Sequence, residues 1–203
     1  MYISSHFSSN DVNEAFSFMK QYSFATIITS KSNIPTASHL PFTVSKRDDQ
    51  FRLSSHFAKA NPQWKDIAGH QCLIIFSEPH AYISPEHYEN KQSVPTWNYV
   101  AVHAYGSGKI IEDKIQAYGV LENMIDTYDE AYKAQWNQLS EDYKSKMLNG
   151  IVTFEITIND LQVSRKLSQN RSRGDQERII EALSASNDSG EQTIADYMKA
   201  GLN

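Results

Sequence analysis

Six segments rich in β-branched and aromatic residues follow one another along this chain, and helical patterns separate only some of them. The segments are residues 24–29, 36–44, 51–54, 71–76, 97–111 and 151–158. The last of them, IVTFEITI, alternates apolar and polar residues as a strand with one buried face does. The strict strand–helix alternation of a parallel sheet is absent, and so is a glycine-rich phosphate loop. The pattern therefore predicts a mainly β, α+β fold: an antiparallel six-stranded β-barrel decorated with helices.

Helical patterns fall between these strands and at both ends of the chain. They cover residues 12–19, 62–68, 113–133, 141–148 and 175–183, with a short helix at the C-terminus. Asp11, Asn61 and Asp175 are the predicted N-terminal caps of three of them, because their side chains can accept from free backbone N–H groups. We expect residues 1–174 to form one domain and residues 175–203 to form a helical extension packed on that same domain.

The composition indicates a cytoplasmic protein without membrane contact. The chain has 203 residues and a formal net charge of -5, with 19 lysines and arginines against 24 acidic residues. This balance does not favour binding to DNA phosphates. Cys72 is the one cysteine, and its apolar neighbours indicate a buried thiol in a reducing compartment. The N-terminus lacks a signal-peptide pattern, and no run of about 18 apolar residues could span a membrane.

The run SSHFAKANPQW (54–64) carries several groups that bind phosphate. Ser54, Ser55 and His56 can donate hydrogen bonds, and Lys59 supplies a cation just before a capped helix start. The run therefore predicts a site for a phosphate monoester. A solvated loop whose polar groups bind water or cap the helix explains the same residues.

The run TASHLPF (36–42) places Ser38 and His39 beside Pro41, which cannot donate to a strand ladder. An unpaired strand edge could offer N–H and C=O groups to a ring with donors and acceptors at its rim. An ordinary edge strand is the alternative.

The run VPTWNYVAVHAYG (94–106) has more aromatic and amide groups than a plain core strand needs. Trp97 could stack on an aromatic ligand, and Asn98 could hydrogen-bond to its edge. Tyr99, His103 and Tyr105 alternate on one face, which is also typical of core or subunit packing.

The run KLSQNRSRGD (166–175) follows a strand with Lys166, Gln169, Asn170 and Arg171. These polar groups could reach a phosphate, although a polar loop explains them as well. The seven histidines lack the short paired spacing of zinc ligands. Neither G-x-S-x-G nor H-E-x-x-H is present, so we predict no metal ligand and no catalytic residue.

Five runs follow one another along the chain: ASHLPF (37–42), SSHFAKANPQW (54–64), AYISPEHY (81–88), VPTWNYVAVHAYG (94–106), and GIVTFEI through KLSQNRS (150–172). In them the chain resembles the FMN-binding negative transcriptional regulator family, the PaiB-like proteins. The most specific part is VPTWNY followed by VHAYG, with KLSQNR downstream. That family is similar to the wider group of pyridoxamine-phosphate-oxidase-like split barrels.

The resemblance implies an FMN-binding split β-barrel whose flavin site lies at the interface of a homodimer. It implies that SSHFAK holds the FMN phosphate and that ASHLPF flanks the flavin ring. The wider group usually has Arg or Lys in the strand that corresponds to ASHLPF. At that place this chain has Ser38 and His39. The predicted FMN-binding residues are Ser38, His39, Leu40, Ser54, Ser55, His56, Lys59, Trp97, Asn98, Lys166, Gln169 and Asn170.

The resemblance also implies a negative regulator of transcription, acting on sporulation and protease genes. The candidate DNA-binding or phosphate-binding patch is the basic cluster Arg165, Lys166, Arg171, Arg173 and Arg178. An FMN-dependent oxidoreductase is an alternative, with His39 and His103 as groups that handle protons. A haem-binding barrel, and a barrel that keeps the dimer without its cofactor, are further alternatives.

Overall fold

A computed structural model describes residues 1–202 and gives eight strands and six α-helices over that range. The strands are β1 (Ser8–Ser9), β2 (Phe24–Lys31), β3 (Ile34–Pro41), β4 (Thr43–Arg47), β5 (Gln50–Ala58), β6 (Gln71–Ile83), β7 (Thr96–Ile110) and β8 (Ile151–Lys166). The α-helices are α1 (Val12–Gln21), α2 (Lys114–Tyr128), α3 (Lys133–Gln138), α4 (Glu141–Asn149), α5 (Arg173–Ser184) and α6 (Ser189–Gly201). Short 3₁₀ helices lie at Pro62–Asp66, Pro85–His87 and Glu130–Tyr132. Asn203, the last residue of the predicted extension, lies outside the described residues.

The strands form one sheet in the order β3-β2-β6-β7-β8-β5-β4, and β1 pairs with β8. β2 pairs antiparallel with β3 and β6, and β5 pairs antiparallel with β4 and β8. The predicted fold class, an antiparallel sheet decorated with helices, is confirmed. Within residues 1–202, no helix is both long enough and apolar enough to cross a membrane.

The strand count differs from the predicted six for two reasons. The segment 36–44 is two strands, β3 and β4, which pair with different neighbours. Pro41 has no N–H to donate, and the N–H of Phe42 bonds to the carbonyl oxygen of Ser23 at 2.9 Å, so the ladder breaks there. The other addition is β1, a two-residue strand too short to leave a hydrophobic period in the sequence.

The chain divides into two compact units. The terminal unit comprises Met1–Ala15, Ser77–Val102 and Gln162–Asn203, and the central unit comprises Phe16–Phe76 and His103–Leu161. The central unit contains β2 to β5 and α2 to α4, whereas the terminal unit contains β1, α5 and α6. The strands β6, β7 and β8 each contribute residues to both units.

Aromatic residues form the core of the central unit. Phe57 of β5 stacks on Phe154 of β8 with their ring centroids 4.9 Å apart, and both rings are fully buried. Phe42 packs edge-on against Phe154 and Phe76. Cys72 is also buried, as predicted, and burial raises the pKa of its thiol to about 11. This thiol therefore stays protonated and unreactive near neutral pH.

The helix caps are partly those predicted. The Asp11 side chain accepts from the backbone of Asn13 and Glu14, and the Asn61 side chain accepts from the N–H of Gln63. The predicted cap at Asp175 is wrong, because Ser172 caps α5 by accepting from the N–H of Asp175. The reason is that the N-terminal cap of α5 lies three residues earlier than predicted.

Candidate functional site

The outer face of β5 carries a row of polar side chains in the central unit. Phe51, Leu53, Ser55 and Phe57 point into the core, so Arg52, Ser54 and His56 share the opposite, half-buried face because side chains alternate along a strand. The partners directly across on β8 are Thr157, Glu155 and Thr153. Arg52 is neutralised there by Glu155, with its Nη1 2.7 Å from the carboxylate.

Two members of this row have a polar atom without a partner: the Arg52 Nε and the His56 Nδ1 are both buried and find no hydrogen-bond partner among residues 1–202. Burial lowers the pKa of the His56 imidazole below its usual value, so it is neutral at pH 7. A buried nitrogen without a partner costs free energy, and an external hydrogen-bonding group at this position would recover it.

Lys59 follows the end of β5 and is held by its backbone. Its N–H donates to the carbonyl oxygen of Gly150 at 2.8 Å, and the indole Nε1 of Trp64 donates to its carbonyl oxygen at 3.2 Å. Its side chain is exposed, and its ammonium makes no ion pair within the described part of the chain. The backbone is thus fixed while the charge remains available.

A cavity of about 290 Å³ opens beside Lys59. Its lining includes Lys59, Trp64, Ile110, Leu148 and Val152. Lys114 and Glu112 also line this partly apolar cavity, so its charged groups are two lysines and one acid, which suits a ligand that has an apolar body and an anionic end.

The two serines of the same run differ in what their side chains can do. Ser55 is fully buried, and its hydroxyl donates to the carbonyl oxygen of Pro41 at 2.6 Å. Ser54 lies on the outer face beside His56, with its side chain half-buried. Of the two, only Ser54 has a side chain that a ligand on this face could reach.

On β3, Ser38 is the centre of a hydrogen-bond network. Its hydroxyl donates to the Gln63 Oε1 at 2.6 Å and accepts from the Asn61 Nδ2 at 2.8 Å. Gln63 is almost fully buried, and its Nε2 donates to the carbonyl oxygens of Thr36 and Ile27. The network joins the segment after Lys59 to the β2–β3 hairpin. The role of Gln63 has no sequence signal beyond its place two residues after a cap.

The other two predicted residues of β3 are oriented by β2. His39 is exposed, with its Nδ1 2.9 Å from the Thr26 hydroxyl and its ring stacked on Phe24. Leu40 is half-buried and lies across from Ala25. Because β3 is at one end of the strand order, one edge of its backbone has no strand partner among residues 1–202.

The five remaining predicted residues belong to the terminal unit. Trp97 is 52% exposed and borders a cavity. Asn98 is fully buried, and its amide accepts from the Ser168 hydroxyl and donates to the Met198 sulfur. Its polar atoms are therefore used inside the unit, which gives Asn98 a packing role.

The run after β8 is shaped by its own hydrogen bonds. Lys166 donates to the Thr96 hydroxyl, and burial lowers the pKa of its ammonium group. Gln169 accepts from the N–H of Leu167 and donates to the carbonyl oxygen of Arg165, while Asn170 is exposed. The structure thus divides the predicted site into two groups. Seven residues lie in the central unit and five in the terminal unit.

No cluster of three or more His, Cys, Asp or Glu side chains among residues 1–202 could hold a metal ion.

Three known proteins are similar to this chain, one in sequence and two in fold. The chain is 37% identical over 205 residues to the protease synthase and sporulation protein PAI 2 of Bacillus subtilis, covering all of this chain and 98% of that protein. The flavocytochrome Anf3 of Azotobacter vinelandii aligns with 81% of this chain and 72% of its own, at a TM-score of 0.63 and 14% identity. The FAD and heme binding protein of Mycobacterium smegmatis aligns with 78% of this chain and 73% of its own, at a TM-score of 0.61 and 14% identity.

The two structural similarities concern the fold alone, and they agree with the split barrel that the resemblance implies. The family model described as "Putative FMN-binding domain" matches residues 1–160, more than half of the chain. With this match and the full-length similarity to the Bacillus protein, the chain belongs to that FMN-binding-domain family.

Proposed function

We propose that this chain binds FMN, with the phosphate held at the end of β5 by His56 and Lys59. The observation that carries the proposal is the His56 Nδ1, which is buried and without a partner among residues 1–202. It lies three residues before a lysine whose charge is unpaired within the same range. A phosphate supplies both an acceptor for the imidazole and an opposite charge for the ammonium group.

The rest of the flavin would extend toward β3. The unpaired backbone side of that strand offers N–H and C=O groups, and Leu40 offers apolar surface. Ser38 contributes indirectly, because its hydroxyl is used to hold Gln63 and Asn61 in place. FMN, once bound, supplies one- and two-electron redox chemistry.

A titration tests the proposal. Purified, flavin-free protein is added to FMN while flavin fluorescence and the visible spectrum are recorded. We expect a saturable change with one FMN per chain. FMN whose spectrum and fluorescence do not change at micromolar protein would contradict the proposal.

The second part of the proposal concerns regulation. The similarity over the whole chain to the protease synthase and sporulation protein PAI 2 supports a role connected with sporulation and protease genes. Negative regulation of transcription is what the family resemblance implies. Direct DNA binding has less support, because three residues of the basic cluster already have acidic partners. These ion pairs are Arg165 with Glu14, Arg173 with Glu177, and Arg178 with Asp175.

The remaining members of the cluster, Lys166 and Arg171, have polar or aromatic contacts. The guanidinium of Arg171 lies 4.1 Å from the centre of the Tyr88 ring. A mobility-shift assay at low salt, repeated with rising salt, measures direct binding. We expect no shift or a weak shift that disappears by physiological salt, whereas a tight, sequence-specific complex would show that the protein represses by binding DNA itself.

The third part is a homodimer with the flavin site at the subunit interface, as in the split barrels that the family resembles. The half-buried polar face of β5 and the exposed strand β3 support it, because an interface would cover both. Sedimentation velocity with and without FMN tests it. A monomer that binds FMN at full stoichiometry would rule the interfacial site out.

A flavin-dependent redox reaction is a second candidate function. His103 of β7 favours it, because its Nδ1 is buried without a partner in the described chain and burial lowers the pKa of the imidazole. A neutral histidine can accept a proton near pH 7. Rapid mixing of the FMN complex with NADPH or NADH should bleach the flavin absorbance if this holds. If the flavin stays oxidised with both donors, the chain binds FMN without carrying out this redox reaction.

A further inference from the structure

The terminal unit contains a second cavity, of about 430 Å³, whose lining is both acidic and aromatic. It lies where β6 and β7 meet the start of α6. The side chains that matter for its chemistry are Glu78, His80, Tyr82, Trp97, Asp188 and Glu191. None of them belongs to the FMN phosphate site proposed above.

The aromatic part is a cluster around Trp97. The Tyr82 ring lies edge-on to the indole and the His80 ring is tilted against it, each with its centroid 5.7 Å away. Trp97 is 52% exposed and Tyr82 is 46% exposed, so the two large rings are grouped without being buried in the core. Ring surface that is organised by neighbours and open to a cavity is available to a ligand.

The charged part is negative. Three carboxylates line the cavity, and no lysine or arginine among residues 1–202 does so. The start of α6 contributes only about half a positive charge. The Asp188 carboxylate already accepts from the N–H groups of Gly190 and Glu191, at 2.7 and 3.1 Å, and so neutralises that end. The balance therefore favours a cation and disfavours a phosphate.

The first turn of α6 lies close to β6 at Gly190. A side chain at Gly190 would approach the Asp188 Oδ1 to 3.0 Å and the His80 carbonyl oxygen to 3.6 Å. An added Cβ would thus be in van der Waals contact with β6. This close approach brings the carboxylates of the helix start to the same cavity as the Trp97 cluster.

We propose that this cavity binds an organic ammonium cation, with its charged head over the Trp97 ring and near the Glu78 and Glu191 carboxylates. An indole face attracts cations more strongly than the other aromatic rings do, and the attraction grows when the cation is partly removed from water. Methyl or methylene groups on the nitrogen suit the rings, whereas the carboxylates select for charge. The structure assigns the site by this combination of rings and acids.

The test compares choline with 3,3-dimethylbutan-1-ol, a neutral molecule of nearly the same shape. The full chain is labelled with ¹⁵N, and the three indole N–H signals are followed during each titration. We expect choline to shift the Trp97 signal saturably while the Trp64 and Trp136 signals stay in place. The neutral alcohol should produce at least tenfold weaker binding.

Matched variants separate the two parts of the site. Glu191→Gln removes one charge and should weaken choline binding at least fivefold. Trp97→Leu should abolish binding, and Trp97→Phe should restore part of it, while Trp64→Phe in the central unit should leave it unchanged. Circular dichroism and the thermal unfolding midpoint of each variant verify the fold. If Trp97→Leu does not fold, the Trp97→Phe and Glu191→Gln variants still decide the proposal.

Three results would overturn the proposal. One is equal binding of choline and the neutral alcohol, which would indicate a merely apolar pocket. Another is an unchanged choline affinity in Glu191→Gln. The third is displacement of choline by FMN with a shift of the Trp97 signal, which would place the flavin itself in this cavity.

Discussion

His56 is the residue whose surroundings say most about the proposed phosphate site. Its imidazole is half-buried on the outer face of β5, and burial lowers its pKa in the free protein. A bound phosphate acts in the opposite direction, because an anion favours the protonated ring. FMN binding should therefore be coupled to proton uptake by His56.

This coupling predicts the pH dependence of FMN affinity. Between pH 8 and pH 6.5 the dissociation constant should fall as pH falls, because the complex holds a proton that the free protein lacks. In His56→Asn the slope should flatten, since asparagine does not titrate. The measurement is a series of fluorescence titrations across this range. An equal slope in both proteins would place the phosphate elsewhere.

The same lowered pKa affects the stability of the flavin-free chain. A histidine with a depressed pKa in the folded state takes up its proton more readily when unfolded. Unfolding therefore becomes more favourable as pH falls through about 6.5, the ordinary value for histidine. The contribution of His56 is fully present above that pH and is lost below it. Urea unfolding of the native chain and of His56→Asn at pH 7.5 and 5.5 would show a smaller loss in the variant.

At the scale of elements, the packing of β7 against β8 depends on a missing side chain. A Cβ at Gly106 would lie 2.3 Å from the Thr157 carbonyl oxygen and 2.7 Å from the Ile156 Cγ2. Gly106→Ala should destabilise the protein by roughly 1–3 kcal/mol, because backbone must move to relieve the overlap. The unfolding free energy from urea denaturation is the measurement.

Gly119 in α2 provides the matched control for that substitution. An added Cβ there meets nothing within 4 Å, and alanine is favoured over glycine in a helix by about 0.8–1 kcal/mol. Gly119→Ala should thus stabilise the chain while Gly106→Ala weakens it. Equal changes in the free energy of unfolding in the two variants would show that the close approach at Gly106 does not affect stability.

The 3₁₀ helix at Pro62–Asp66 is joined to β2 and β3 through Gln63. Its Nε2 has three acceptors, among them the Thr29 hydroxyl at 3.3 Å, and its Oε1 receives the Ser38 hydroxyl. Gln63→Leu should cost about 1–3 kcal/mol of stability, because it leaves buried polar groups unpaired. It should also weaken FMN binding, since it loosens the segment that follows Lys59. If Gln63→Leu binds FMN with native affinity, the hydrogen bonds of Gln63 do not support the FMN site.

At the scale of the whole molecule, residue pattern predicted more of the fold than of the site. Alternation and cap residues are local, so they predicted most strands and the helix starts at Asp11 and Asn61. The residue pattern does not indicate the break at Phe42, because the break depends on a hydrogen bond to Ser23, which is distant in sequence. In the site, residue type did not show which face a side chain takes. Ser55 and Asn98 are buried, and their side chains make hydrogen bonds inside the protein. The polar side-chain groups of His56 and Lys59, by contrast, are available to a ligand.

The central claim, that His56 and Lys59 hold the FMN phosphate, is tested most directly by comparing FMN with riboflavin, which lacks the phosphate. Affinities of both are measured for the native chain, for Lys59→Ala and for a control, Lys46→Ala, whose lysine pairs with Asp49 at the surface. A charge-assisted contact of about 1.5–3 kcal/mol corresponds to roughly a 10- to 150-fold loss. We predict that Lys59→Ala loses this much FMN affinity and keeps its riboflavin affinity, whereas the Lys46→Ala control keeps both affinities. Equal losses for FMN and riboflavin, or none for either, would contradict the account.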